Sequence, residues 1–256
     1  MSTNPYVGPN AESDPLPEKP IVKRFKFPIG MVVLGALLSV LLVALFLPLT
    51  RGSAGGARRR HPCINNLREI ALGIMNYESA YGTLPPAFTV DAEGNRLHSW
   101  RTLILPYIGE VSIYRSIDLT KPWDHPANAK AREAVVAYYA CPSTANEEHL
   151  TTYLAVVGPS CVFTGSTPRK LNEITDGASK TLAVIDANSD QAVHWMSPHD
   201  ADEDIVMAFH AESETNHRGI FVAAFLDGHV TSIPLDTKSA GVIVVLGTDG
   251  QGLSPR

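Results

Sequence analysis

The rhythm of apolar and polar positions changes along this chain. The first 28 residues carry six prolines and no apolar period, which predicts an extended tail without a core of its own. From Ile29 to Leu49 the residues run without a charge, apolar on every face. After Pro62, the positions Ile64, Leu67, Ile70, Ala71, Ile74 and Tyr77 recur every three or four residues. That period predicts an amphipathic helix over about Ile64 to Tyr81, stopped by Gly82 and Pro85-Pro86. Trp100 to Ile117 carries a similar pattern broken at Pro106, and Ala127 to Tyr139 a third, begun by Pro126. Beyond them, β-branched and aromatic runs at Thr151–Val157, Thr181–Asp186, Gly219–Leu226, His229–Pro234 and Val242–Leu246 predict strands. Asp227-Gly228 between two of these predicts a two-residue hairpin turn with positive φ. Helices first and strands afterward predict an α+β fold, with one helix packed on an antiparallel sheet.

The uncharged run of 21 residues from Ile29 to Leu49 spans about 30 Å as a helix, the thickness of a bilayer's hydrocarbon core. A core helix of that length would carry a charge on some outer face, so the run reads as a transmembrane anchor. Lys19, Lys23, Arg24 and Lys26 precede it, and Arg51, Arg58, Arg59 and Arg60 follow. The tighter cluster before the helix and the short tail favour a cytoplasmic N-terminus and an extracytoplasmic C-terminal domain. The run exceeds the apolar region of a cleavable signal peptide, the rival reading, although Ser53 to Ala57 offers small residues for cleavage. The chain thus divides into a tail (1–28), an anchor (29–49), a juxtamembrane linker rich in Gly, Ala and Arg (50–62), an α+β domain (63–247) and a C-terminal tail (248–256).

A net charge of -5 supplies no basic excess for phosphate contacts, so nucleic acid is not an expected partner. The three cysteines, Cys63, Cys141 and Cys161, are too few for a disulfide scaffold, and none forms a C-x-x-C pair.

Several short segments stand in a distinctive order. They are Cys63-Ile-Asn65-Asn66-Leu67-Arg68-Glu69-Ile70, Met75-Asn76-Tyr77, Leu84-Pro85-Pro86, Ser99-Trp100-Arg101, Leu105-Pro106-Tyr107, Pro122-Trp123-Asp124, Cys141-Pro142-Ser143 and Ile174-Thr175-Asp176-Gly177-Ala178-Ser179-Lys180-Thr181. His217, nine residues, and Asp227-Gly228 close the series. Together they resemble a bacterial pilin-like family of unknown function named for that C-terminal pattern. The resemblance implies a pilin-like fold behind a membrane helix, with envelope proteins or further copies of the chain as partners. It also matches Cys63 and Cys141 to two recurrent cysteines, which implies a disulfide in an oxidising compartment; two buried thiols are the alternative. The chain departs from the family at its leader, since Pro28-Ile29-Gly30-Met31-Val32-Val33 lacks the glutamate that precedes filament assembly.

Candidate chemistry is sparse, and the residues name no catalytic group, cofactor or metal site. The polar stretch from His194 to His217 holds His199, Asp200, Asp202, Asp204, His210, Glu212 and Glu214, which could bind a metal or another ligand. Ile205 and Ala211 stand where a calcium loop requires glycine and glutamate, so a solvated acidic loop is the plainer reading. A hydrolase using His217 or Cys161 is a third reading, for which no nucleophile motif is found. Asn65, Asn66, Trp100, Arg101, Pro122, Trp123, Asp124, Asp176, Gly177, His217, Asp227 and Gly228 are expected to serve structure. The expected function is a membrane-anchored envelope protein without catalysis.

Overall fold

The structure, a computed structural model, describes residues 30, 33–39, 54–144, 148–202, 205–206, 215–217 and 219–235, with the backbone alone at 54–60. The chain divides into two compact units, Met1–Arg51 and Gly52–Arg256. In the first, the described residues are helical, and Val33, Leu34, Leu37 and Leu38 are each more than half exposed. Most of the expected anchor lies outside the described residues, as do the two tails and the strand expected over Val242–Leu246. Among the described residues no helix is long and apolar enough to cross a membrane.

The second unit is α+β. Its helix α1 runs from Ala54 to Tyr81 and includes Pro62, so the segment expected as a linker over 50–62 is helical from Ala54 onward. Pro62 removes one backbone donor, but Ala57 and Arg58 to Arg60 are strong helix formers and continue the turn before it. Cys63, Leu67, Ile70, Ala71 and Ile74 form one buried face. Gly73 lies where α1 meets Ile104 and Ile108; a Cβ there would stand 2.6 Å from the Ile108 methyl, so only glycine permits this approach.

The middle of the chain is a series of short elements. Strands β1 (Phe88–Val90) and β2 (Arg96–Ser99) form a ribbon, followed by α2 (Trp100–Ile104), a 3-10 turn (Leu105–Tyr107), and α3 (Val111–Arg115). The expected helix over Trp100–Ile117 is thus divided at Pro106. Similarly, the one expected over Ala127–Tyr139 becomes a 3-10 turn (Pro126–Asn128), α4 (Ala129–Arg132) and a second 3-10 turn (Ala137–Tyr139).

Five strands make the main sheet, in the order β7 (Ala201–Asp202), β4 (Tyr153–Val157), β5 (Leu182–Asp186), β8 (Ile220–Phe225) and β9 (Val230–Pro234). All neighbours are antiparallel except β4 and β7. The short strands β3 (Leu150–Thr151) and β6 (Val193–His194) pair separately. Alternating residues feed two apolar layers: Tyr153, Ala155, Val222 and Ala224 join the core beneath α1, while Leu154, Val156, Phe221 and Ala223 join a second core. Every residue of the central strand β5 is buried. The β8–β9 connection differs from the expected two-residue turn. Phe225 accepts from Gly228 N–H and donates to the His229 carbonyl, leaving Leu226-Asp227-Gly228 as the loop, with φ of 89° at Gly228. One residue with positive φ suffices in this longer turn.

The helical middle is fastened to the sheet by Arg101, whose side chain is fully buried. Its guanidinium donates to Ser99 Oγ (2.6 Å), to the carbonyls of Tyr153, Ser197 and His199, and to Asp200 Oδ1 (2.7 Å). The same Asp200 oxygen accepts from Trp100 Nε1 (3.0 Å) and Ala155 N–H (2.8 Å). Replacing Arg101 with Met removes the charge but strands the Asp200 carboxylate. The variant is expected to lose about 3 to 5 kcal/mol of stability, read by denaturant melts, with recovery on adding Asp200→Asn.

His98 is another buried polar side chain, and burial lowers its pKa, with the nearby backbone of Lys121 and Asp118 opposing. Among the described residues neither ring nitrogen has a hydrogen bond of good geometry. The folded state therefore prefers the neutral ring. Its stabilising contribution is present above the ordinary pKa of 6.5 and is lost as pH falls toward the depressed folded value. Thermal melts should show a loss of stability on acidification from about pH 7 to about pH 5. His98→Gln should reduce that slope, with a remainder from His194, whose pKa burial also lowers.

Candidate thiol and metal centre

Four side chains from four parts of the fold converge beneath α1. Cys63 comes from the helix, fully buried. Cys141 follows the 3-10 turn Ala137–Tyr139, and two interactions hold that turn in place. Asn66, one helical turn after Cys63, donates its amide to the carbonyls of Ala140 (3.0 Å) and Ala137 (3.4 Å). Tyr139 donates its hydroxyl to the Arg101 carbonyl (2.7 Å). After the cysteine, Thr144 bonds back to the Cys141 carbonyl through both its amide and its hydroxyl and closes the Cys-Pro-Ser turn. The result places the two sulfurs 2.7 Å apart across 78 residues of sequence. That is longer than a disulfide bond of about 2.05 Å.

Asp186 ends the central strand, paired in register with Tyr153, and His217 stands shortly before β8, the antiparallel neighbour of β5. Asp186 Oδ2 meets His217 Nε2 at 2.9 Å and Cys141 Sγ at 3.4 Å. The other oxygen, Oδ1, accepts from Thr152 Oγ1 (2.6 Å) and Asn216 Nδ2 (2.9 Å). Asn216 also donates to the Ala187 carbonyl (2.7 Å), fixing the approach of the residue next to it. One ligand-capable atom from each of Cys63, Cys141, Asp186 and His217 lies within 4.8 Å of all the others, and all four residues are buried. Among the described residues, this is the group of such side chains able to hold a metal ion.

These groups redistribute protons among themselves. The hydrogen bond from Cys141, aided by His217 and Ser143, outweighs burial and the Asp186 charge and lowers the Cys63 pKa to about 5. The same contact with Cys63 pushes Cys141 upward, as do burial and the Asp186 charge. At His217, burial favours the neutral ring, but hydrogen bonds to Asp186 and Cys63 outweigh it and raise the pKa to about 9. A sulfur anion and an imidazolium beside a carboxylate can thus coexist out of water.

Residues 53–160 match the model of a family described as a protein of unknown function (DUF1559). The likeness covers α1, Asn66, Trp100, Arg101, Trp123 and both cysteines of the centre, and it stops before Asp186 and His217. It extends over less than half of the chain. No curated protein and no solved structure matches.

Of the other singled-out residues, Trp100 and Arg101 form the hub at Asp200. Asn65 accepts from Arg68 on the surface. Pro122 and Asp124 offer carbonyls to Asn128 and Arg132, and the Trp123 ring lies tilted against His194 with Arg132 over its face. Gly177, with φ of 85°, accepts from Thr181 Oγ1 in the turn after Asp176. His217 and Asp227 do not meet: they stand at opposite ends of β8, and Asp227 instead binds His229. The nine residues between them span the length of that strand. Cys161 lies in the second apolar layer, a different cluster from the one that holds Cys63 and Cys141. The polar stretch from His194 also disperses. Asp200 is held by Arg101, His199 Nδ1 meets Ser197 Oγ, and His194 Nε2 meets the Arg132 carbonyl, while Asp204, His210, Glu212 and Glu214 lie outside the described residues.

Sequence reasoning missed Asp186, Thr152, Tyr153 and Asn216. The signal available was Asp186 itself, a carboxylate closing the apolar run Leu182-Ala-Val-Ile185, where a buried charge demands partners. Asn66→Ala removes the amide that holds the Cys141 turn. It should cost about 1 to 2 kcal/mol and, under reducing conditions, speed alkylation of Cys141, as measured by peptide mass mapping.

Proposed function

We propose that this protein is a membrane-tethered, pilin-like component of the cell envelope, anchored through Ile29–Leu49 with its N-terminus in the cytoplasm. Its folded unit works through contacts with other envelope proteins or with copies of itself, without turnover. The observation that carries this reading is the placement of the chemistry-bearing side chains. Cys63, Cys141, Asp186 and His217 are 0 to 9% exposed and face one another under the helix, an arrangement suited to holding elements together. A catalytic centre instead needs a reacting atom within reach of a cleft. The uncharged run from Ile29 to Leu49, before the segment that resembles DUF1559, supports the anchor.

In an oxidising envelope, Cys63 and Cys141 are joined as a disulfide. Closing that loop would stabilise the unit by about 4 kcal/mol in the chain-entropy model. The test is fractionation of cells expressing the full chain with a tag at each end, followed by protease protection and intact mass without reductant. Membrane retention, a protected N-terminal tag, a cleavable C-terminal tag and a mass two hydrogens below the reduced chain are the expected results. Recovery in the soluble cytoplasmic fraction with both tags protected would overturn the reading.

A further inference from the structure

The convergence of Cys63, Cys141, Asp186 and His217 supports a second use of the same atoms. We propose that, when its two thiols are reduced, this cluster is a closed binding site for one divalent transition-metal ion of borderline softness, zinc being the best fit. Two thiolates, one imidazole nitrogen and one carboxylate oxygen make four ligands, the number a tetrahedral structural zinc takes from protein. The ligands come from α1, the turn after Tyr139, the end of β5 and the approach to β8, so the ion would fasten four segments at one point. With every position filled by protein, the site holds structure and leaves no place for a substrate.

The geometry is close to what the ion needs. Tetrahedral zinc spaces a nitrogen and an oxygen ligand about 3.4 Å apart, and a sulfur and an oxygen about 3.6 Å apart. The corresponding separations here are 2.9 Å for His217 Nε2 to Asp186 Oδ2 and 3.4 Å for Cys141 Sγ to Asp186 Oδ2. The two sulfurs, at 2.7 Å, must part to about 3.8 Å, a movement within reach of side-chain rotation. Asp186 is already oriented: Thr152 and Asn216 occupy Oδ1, leaving Oδ2 toward the cluster. Such outer hydrogen bonds are what fixes a ligating carboxylate in metal sites.

Tyr153 borders the cluster. Its hydroxyl is buried and, among the described residues, has no hydrogen-bond partner of good geometry. It lies beside Cys63, Cys141 and Asp186. With the cysteines held apart as metal thiolates, the Cys63 sulfur becomes a charged and stronger acceptor for that hydroxyl. The ion also offsets the like charge of two thiolates and a carboxylate gathered out of water.

Metal binding and the Cys63–Cys141 disulfide exclude each other, so the reduced chain is the form to test, and the outcome does not depend on where the chain resides. Full-length protein in detergent, stripped with a chelator and kept in a phosphine reductant, is titrated with cobalt(II) and then zinc(II). The expected result is one equivalent of tetrahedral cobalt with sulfur-to-metal charge-transfer absorption, displaced by zinc and absent from the disulfide form. Cys161→Ser should bind as the parent does. His217→Ala should lose the tetrahedral spectrum, and Thr152→Val, at a positioning residue, should weaken affinity about 10- to 100-fold. Circular dichroism identifies variants that fail to fold, and for those the comparison of reduced with disulfide-bonded parent decides. An octahedral cobalt spectrum without charge transfer in the reduced parent, or equal binding by its disulfide form, would overturn the proposal and leave the envelope reading standing.

Discussion

A carboxylate buried at the end of a central strand must find its partners inside the protein, and Asp186 finds them on every side. Both carboxylate oxygens are occupied, by Thr152 and Asn216 on one and by His217 and Cys141 on the other. The four partners come from three stretches of chain. Satisfying this one group therefore settles where β4, the Cys141 turn and the segment before β8 lie relative to β5. Leaving it unmet would cost more than any single surface contact in the fold could return.

Asp200 performs the equivalent task on the other side of Tyr153. Arg101, Trp100 and the Ala155 amide converge on one of its oxygens, which brings the helical middle against β4. The two carboxylates differ in partner chemistry, and this separates their roles. Arg101 offers a permanent cation and a fork of donors, so its site is a lock. The groups around Asp186 are thiols and an imidazole, whose protons, oxidation state and ligands can change. Only that centre has the means to switch between a covalent bridge and a metal.

The His217-to-Asp227 spacing illustrates how a sequence pattern can mislead about proximity. A histidine and an aspartate that recur together invite pairing, yet a strand separates them. One end of that strand supplies His217 to the buried cluster, and the other ends in the Gly228 turn. The spacing measures strand length, and the two motifs do separate jobs.

Much of the unit's plan was legible in the residues alone. The three- and four-residue period after Pro62, the later β-branched runs and the place of the Asp-Gly turn, but not its length, follow from local geometry, so the α+β class and the helix face could be read directly. The limits of elements were less legible. The reach of α1 back to Ala54 depends on helix propensity outweighing Pro62, and the division of the later helices depends on how their short pieces pack. Asn66, Arg101 and the cysteines could be singled out, but their roles could not. Whether Cys63 faces Cys141, and whether Asp186 stands with His217 instead of Asp227, is decided by strand order and by contacts across long separations. Periodicity along the chain determines which face of an element is buried. Only the tertiary arrangement decides which buried groups share the same few ångströms, because desolvation forces polar side chains from distant segments to satisfy one another there.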